Sequence, residues 1–184
     1  MAAQIIDGKQ IAQQIRSDLA RQIQERIEQG KPRPGLAVVL VGDNPASQLY
    51  VKMKQKACLE VGIHSEEHRL PASISQGRLL GLIDQLNSDP RIHGILVQLP
   101  LPDGLDEEEV IMRIRPEKDV DGFHPINVGR LAIGADTYVP CTPAGVMKML
   151  DWINYDPAGK KAVVVGRSNI VGKPVAQLLL TRNA

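Results

Sequence analysis

Hydrophobic positions in this chain follow two patterns, spaced stripes and short unbroken runs. Ile11, Ile15, Leu19, Ile23 and Ile27 recur every fourth position, which lines them along one side of a long helix ending near Gly30. A breaker at residues 31–35 follows, and then an unbroken apolar run at 36–41, as expected of a strand covered on both faces. Asn44 is placed to cap a helix whose first position is Pro45; that helix runs to Val61, and Gly62 ends it. A short strand is predicted near 65–70. Next comes a helix over 75–87 with Leu79, Leu82, Ile83 and Leu86 on one side, then a strand over 94–99 stopped by Pro100 and Pro102. A short helix is predicted over 107–113. Residues 115–143 are rich in Pro, Gly and Asp with weak periodicity, and they predict an interdomain passage. Thr142 is read as the cap of a helix through Trp152, with Pro143 in its first turn. A further strand is predicted over 161–165, and 166–174 leads into a helix still running at Ala184.

Strands and helices therefore alternate, which predicts an α/β fold with parallel strands. The expected division is a first domain at 1–139 and the beginning of a second at 140–184. One βα unit cannot bury both faces of its strand, so either a truncated chain is expected or one whose missing part lies elsewhere.

Composition narrows the function classes. The 184 residues carry 22 Lys+Arg and 21 Asp+Glu, a net charge of +1, which gives no electrostatic case for nucleic acid or an acidic membrane surface. The aromatic residues, 3 % of the chain, are too few for a base-stacking platform. No apolar run approaches the length of a membrane helix, and the first residues do not read as a signal peptide. Cys58 and Cys141 form no Cys-x-x-Cys pair, which argues against a zinc knuckle and fits a reducing compartment. A cytoplasmic protein is expected.

Several motifs could carry chemistry, each with a plainer reading beside it. The segment Gly166-Arg-Ser-Asn-Ile-Val-Gly172 follows a predicted strand and opens a helix, a context in which backbone N–H groups and the helix dipole favour a phosphate. It matches Gly-x-Gly-x-x-Gly poorly, since Ser168 and Val171 stand at the second and third glycine positions, and a structural turn is equally open. Arg167 could pair with a 2′-phosphate, favouring NADP over NAD. Tyr50 and Lys54 share a helix face; a lysine partly removed from water there can transfer protons, or the face is simply solvated like neighbouring Lys52 and Lys56. Gln98 interrupts an apolar strand at its carboxyl end, where such a group faces a ligand or bonds the following Pro-rich turn. Asp119 and Asp121 alternate before Gly122, as a ligand carboxylate or as a turn stabiliser; no EF-hand loop surrounds them. His64-Ser-Glu-Glu-His68 fits a zinc-peptidase pattern formally, but that pattern requires a helix and this stretch reads as a strand, so no metal is expected.

Five segments together resemble the bifunctional methylenetetrahydrofolate dehydrogenase/methenyltetrahydrofolate cyclohydrolase family. They are Asn44 to Cys58 with Tyr50 and Lys54, Gly94 to Pro102 with Gln98, Pro116 to Gly129 with Asp121 and Asn127, Pro140 to Gly145, and Gly166 to Pro174. The resemblance implies a folate-binding α/β domain, then a Rossmann-type NADP domain, with the active site in the cleft between them and a homodimer formed through the cofactor domain. It implies oxidation of 5,10-methylenetetrahydrofolate with NADP and hydrolysis of the methenyl product to 10-formyltetrahydrofolate, in one-carbon metabolism. By the same resemblance Lys54 is the essential lysine, Gln98 its partner, Tyr50 the ring that stacks on the folate, and Asp121 the carboxylate that holds the pterin. The cofactor falls to Gly166, Arg167, Ser168, Ile170 and Gly172. A folate-binding fragment without dehydrogenase activity is the alternative where the cofactor domain is incomplete.

Overall fold

The computed structural model describes residue 3 and residues 5–184. The chain divides into two compact units: Ile15–Asp119, and Val120–Ala184 together with the N-terminal residues up to Gln14.

Ile15–Asp119 is built on a three-stranded parallel sheet in the order β2-β1-β3, from β1 (Gly35–Val41), β2 (His64–Leu70) and β3 (Gly94–Val97). The continuous apolar run makes β1 the central strand, and Ala37 to Val41 are all buried. On one face Ala37, Val39, Ile95 and Val97 pack with Leu79, Ile83 and Leu86 of α3 (Gln76–Ser88) and Val110 of α4 (Glu107–Arg113). α2 (Pro45–Val61) packs on β1 and β2 and buries Val51, Cys58 and Val61. Both its ends are local in origin. Asn44 Oδ1 accepts from Ala46 N at 3.0 Å and Ser47 N at 3.1 Å, and Gly62 ends the helix in the left-handed conformation.

The stripe on α1 (Gly8–Glu28) departs from expectation. Ile11 and Ile23 are buried, whereas Ile15 and Leu19 are exposed. Four-residue steps advance ~40° each around a helix, so such a stripe winds instead of facing one neighbour. Strand β3 also stops at Val97, two residues before its predicted end, although Gln98 N–H still donates to Val39 O at 2.9 Å.

Val120–Ala184 contains α5 (Pro125–Ala132), α6 (Cys141–Trp152) and α7 (Gly172–Thr181). α5 lies within the stretch expected to be an irregular passage. Its eight residues span too few turns for a periodic signal, but His124 Nδ1 accepts from Ile126 N at 3.1 Å and Pro125 sits in its first turn. α6 begins at Cys141 with Pro140 at the cap position, so Thr142 lies inside the helix and does not cap it. The strand predicted at 161–165 does not form. No strand pairs with that segment among the described residues, and Val163 and Val165 are 76 % and 98 % exposed. Apolar composition alone does not hold a strand; a ladder needs a neighbour.

Candidate active site

The carboxyl ends of β1 and β3 lie side by side in the parallel sheet, the edge at which α/β proteins present ligand groups. Gln98 follows β3 directly. Its Nε2 donates to Leu99 O at 2.7 Å, which turns its Oε1 toward α2, and Lys54 Nζ donates to that oxygen at 3.0 Å. One end of the amide thus bonds the Pro-rich turn, the plainer of the two readings of Gln98, and the other accepts from the lysine. Both side chains are half-buried. Tyr50 lies one turn before Lys54 and is exposed, as are Leu49 and Met53. At ~100° per residue these four positions share one arc of α2, so an apolar and aromatic surface adjoins the lysine. Leu49 and Met53 were not among the residues expected from sequence; their exposure is what marks them.

The two alternating carboxylates part company. Asp119 is buried, in a β-bridge with Ile95, whose N–H donates to Lys118 O at 2.7 Å. Lys118 Nζ in turn donates to Leu86 O and Asp89 O at the end of α3, and burial pushes its pKa down. Asp119 is therefore part of the frame of Ile15–Asp119.

Asp121 belongs to the other unit and is half-buried. Gly122, next to it, adopts φ +68°, and a Cβ there would sit 2.6 Å from Tyr138 O. Only glycine permits that approach.

The turn at 166–172 closes on itself. A Cβ at Gly172 would lie 2.5 Å from Gly166 O and 2.9 Å from Arg167 N. Ser168 Oγ accepts from Val171 N at 3.1 Å and Gly172 N at 3.2 Å, and so caps α7. Those two N–H groups are thus already satisfied within the turn. Arg167, Ser168 and Ile170 are exposed. At the start of this ten-residue helix the exposed Arg167 guanidinium, rather than those two N–H groups, is what the turn offers to a phosphate.

His64 and His68 stand on β2, not on a helix, and Glu67 between them bonds Gln55 and Arg69. The zinc-peptidase geometry is absent, and no group of three or more metal-ligating side chains occurs among the described residues. No helix among them is long and apolar enough to cross a membrane.

Residues 6–121 match the family model described as tetrahydrofolate dehydrogenase/cyclohydrolase, catalytic domain, and residues 140–184 match its NAD(P)-binding domain. The chain belongs to this family. It is 62 % identical over its whole length to the bifunctional protein FolD of Moorella thermoacetica and 54 % identical to that of Bacillus subtilis, covering 65 % of each. The crystal structure of the bifunctional enzyme FolD from Campylobacter jejuni superposes with a TM-score of 0.97 at 50 % identity, over 100 % of this chain and 65 % of that one. The Trypanosoma brucei enzyme, solved with NADP cofactor and inhibitor, superposes at 0.94 with 37 % identity, over 100 % of this chain and 63 % of that one. The chain thus spans about two thirds of the length of these relatives.

Besides Leu49 and Met53, Thr137 and the backbone at Tyr138 also stand against residues of the predicted site segments without having been expected from sequence. Thr137 Oγ1 donates to Asn127 Oδ1 at 2.8 Å. Nothing in the irregular stretch around Thr137 signals this; only the fold brings it to α5.

Proposed function

We propose that this chain carries the folate chemistry of a bifunctional methylenetetrahydrofolate dehydrogenase/methenyltetrahydrofolate cyclohydrolase, with residues 1–139 as the catalytic folate domain and 140–184 as the beginning of the NADP domain. The 3.0 Å bond between Lys54 Nζ and Gln98 Oε1 carries this reading. In the hydrolytic step a water oxygen bonds to the methenyl carbon of 5,10-methenyltetrahydrofolate and loses a proton. The resulting carbinol hydroxyl gives up its own proton as the carbonyl forms and the carbon–N5 bond breaks, N5 takes a proton, and 10-formyltetrahydrofolate leaves with one net proton released: two lost from the water oxygen, one gained by N5. Lys54 is the group that receives the proton from water and returns one to the departing nitrogen. Gln98 holds Lys54 in place and, through Leu99 O, ties it to the turn after β3. Tyr50, exposed beside Leu49 and Met53, offers a ring face to the folate. The two oxygens of Asp121 accept from the pterin amino group and a ring N–H.

NADP, when bound, supplies the hydride acceptor for the oxidation of 5,10-methylenetetrahydrofolate. Gly166, Arg167, Ser168, Ile170 and Gly172 would form its site, with Arg167 and Ser168 on the phosphates and the exposed Arg167 guanidinium directed to the 2′-phosphate. The protein is read as a cytoplasmic homodimer; its two cysteines, Cys58 and Cys141, are far apart in sequence and form no Cys-x-x-Cys pair, which supports a reducing compartment.

The test is Lys54→Met in the 184-residue chain, assayed by the loss of methenyltetrahydrofolate absorbance. Loss of hydrolysis to the spontaneous rate, with the fold retained, is expected. Hydrolysis by the variant at the parent rate overturns the reading, as does a parent chain that neither binds nor hydrolyses the compound.

A further inference from the structure

Asp121 has no regular element to stand on: it precedes α5 and follows the end of the sheet, in a stretch of turns. Two contacts fasten the residues that follow it within Val120–Ala184. At Gly122 the backbone lies directly against the 138–140 segment, where a Cβ would meet Tyr138 O at 2.6 Å, the Tyr138 carbonyl carbon at 3.0 Å and Pro140 Cδ at 3.1 Å. One turn into α5, Asn127, 1 % exposed, accepts a hydrogen bond from Thr137 Oγ1 at 2.8 Å. The stretch from 121 to 127 is therefore fastened to the stretch from 137 to 140 at both ends, by a backbone contact and by a buried side-chain bond.

We propose that Asn127 and Thr137 are positioning residues for the Asp121 carboxylate and so set affinity for the pterin of the folate. This rests on the reading of Asp121 given above. The physical reason lies in the geometry of a two-oxygen acceptor. A carboxylate that must take two parallel N–H donors is sensitive to displacements well under an ångström, and its own side chain has too few torsions to correct a shifted backbone. Gly122 leaves no side chain of its own to brace the turn. The bracing comes from the far side, through the Thr137 hydroxyl and the buried Asn127 amide. Neither residue touches the reacting carbon in this scheme, so their removal acts on substrate binding and leaves the Lys54 step intact.

The experiment measures methenyltetrahydrofolate hydrolysis by the 184-residue chain and its Thr137→Val, Thr137→Ala and Thr137→Ser variants, with melting temperatures alongside. KM is expected to rise about five- to tenfold in Thr137→Val, with kcat within about twofold of the parent and recovery of KM in Thr137→Ser, which keeps the hydroxyl. Thr137→Ala removes the same hydroxyl without adding a methyl at the γ position and is expected to match Thr137→Val, so either variant alone decides the question. An unchanged KM in a folded Val or Ala variant overturns the inference. So does a fall in kcat with KM constant, the signature of a smaller folded fraction, or a Ser variant as impaired as Val. Absence of Lys54-dependent hydrolysis in the parent chain overturns the underlying reading, and the inference with it; loss of the KM effect alone overturns only the inference.

Discussion

Lys54 and Gln98, 44 residues apart in sequence, are joined by a 3.0 Å hydrogen bond in which the lysine donates and the amide oxygen accepts. The amide has one oxygen and one NH2 group, and each already has an assigned partner: Lys54 for the oxygen, Leu99 O for the nitrogen. The orientation of Gln98 is thereby determined, because flipping the amide would break both bonds.

Replacing Gln98 should therefore cost activity without removing the lysine. Gln98→Leu is expected to lower kcat for methenyl hydrolysis by about ten- to a hundredfold, since a positioned proton-transfer group loses its support. Gln98→Glu keeps an acceptor for Lys54 and should retain more activity than Gln98→Leu. Steady-state kinetics on the two variants check this, and equal activity of Gln98→Leu and the parent would refute it.

Arg167 is exposed at the mouth of the glycine-bounded turn. Arg167→Ala is expected to weaken NADP by about tenfold and NAD much less, because only NADP carries the 2′-phosphate. Fluorescence titration with each dinucleotide measures the ratio. An equal loss for both would remove the 2′-phosphate from the role assigned to this residue.

The turn itself has no room at Gly172, where an added methyl would meet Gly166 O at 2.5 Å. Gly172→Ala should force the turn open, at a cost of about 1–3 kcal/mol and with loss of dinucleotide affinity. Lys54 and Gln98 lie in the other compact unit, so methenyl hydrolysis should persist. Chemical denaturation and cofactor titration together check the pair of effects; intact NADP binding in the variant would contradict the steric account.

Acid stability offers a separate check on the frame. The Arg91 side chain, first, and the Arg91 backbone N–H, second, hold the Asp89 carboxyl down from its usual 3.8 to about 2. A carboxylate depressed in the folded state contributes stability that is fully present above its unfolded pKa and is lost as pH falls through its folded pKa. The advantage of the parent over Asp89→Asn should therefore be constant above about pH 4 and shrink toward pH 2. Denaturation midpoints at several pH values in that window test it, and a difference that grows on acidification would reverse the sign.

Much of the fold is legible without coordinates wherever a side chain satisfies a backbone group close by in sequence. α2 has the ends expected of Asn44, Pro45 and Gly62 because a cap bond closes within a few residues. α4 likewise runs over Glu107–Arg113 as predicted, with Asp106 Oδ1 accepting from Glu108 N and Glu109 N. The buried central strand follows from its unbroken apolar run, since no other placement removes both faces from water. The identities of Lys54, Gln98, Tyr50 and Asp121 as candidates also come from sequence pattern and family resemblance.

What no pattern contained is which distant groups meet. Local chemistry determined the ends of α2 and α4 and the glycine-bounded turn, because each is satisfied by atoms within a few residues, and the unbroken apolar run marked β1 as a buried strand without saying which strands pair with it. Tertiary structure alone decided that Gln98 oxygen goes to Lys54, that Thr137 reaches Asn127, and that 161–165 is not a strand. A hydrogen bond across 44 residues, or a ladder that needs a neighbouring strand, depends on where the rest of the chain has folded, and hydrophobic periodicity carries no record of that.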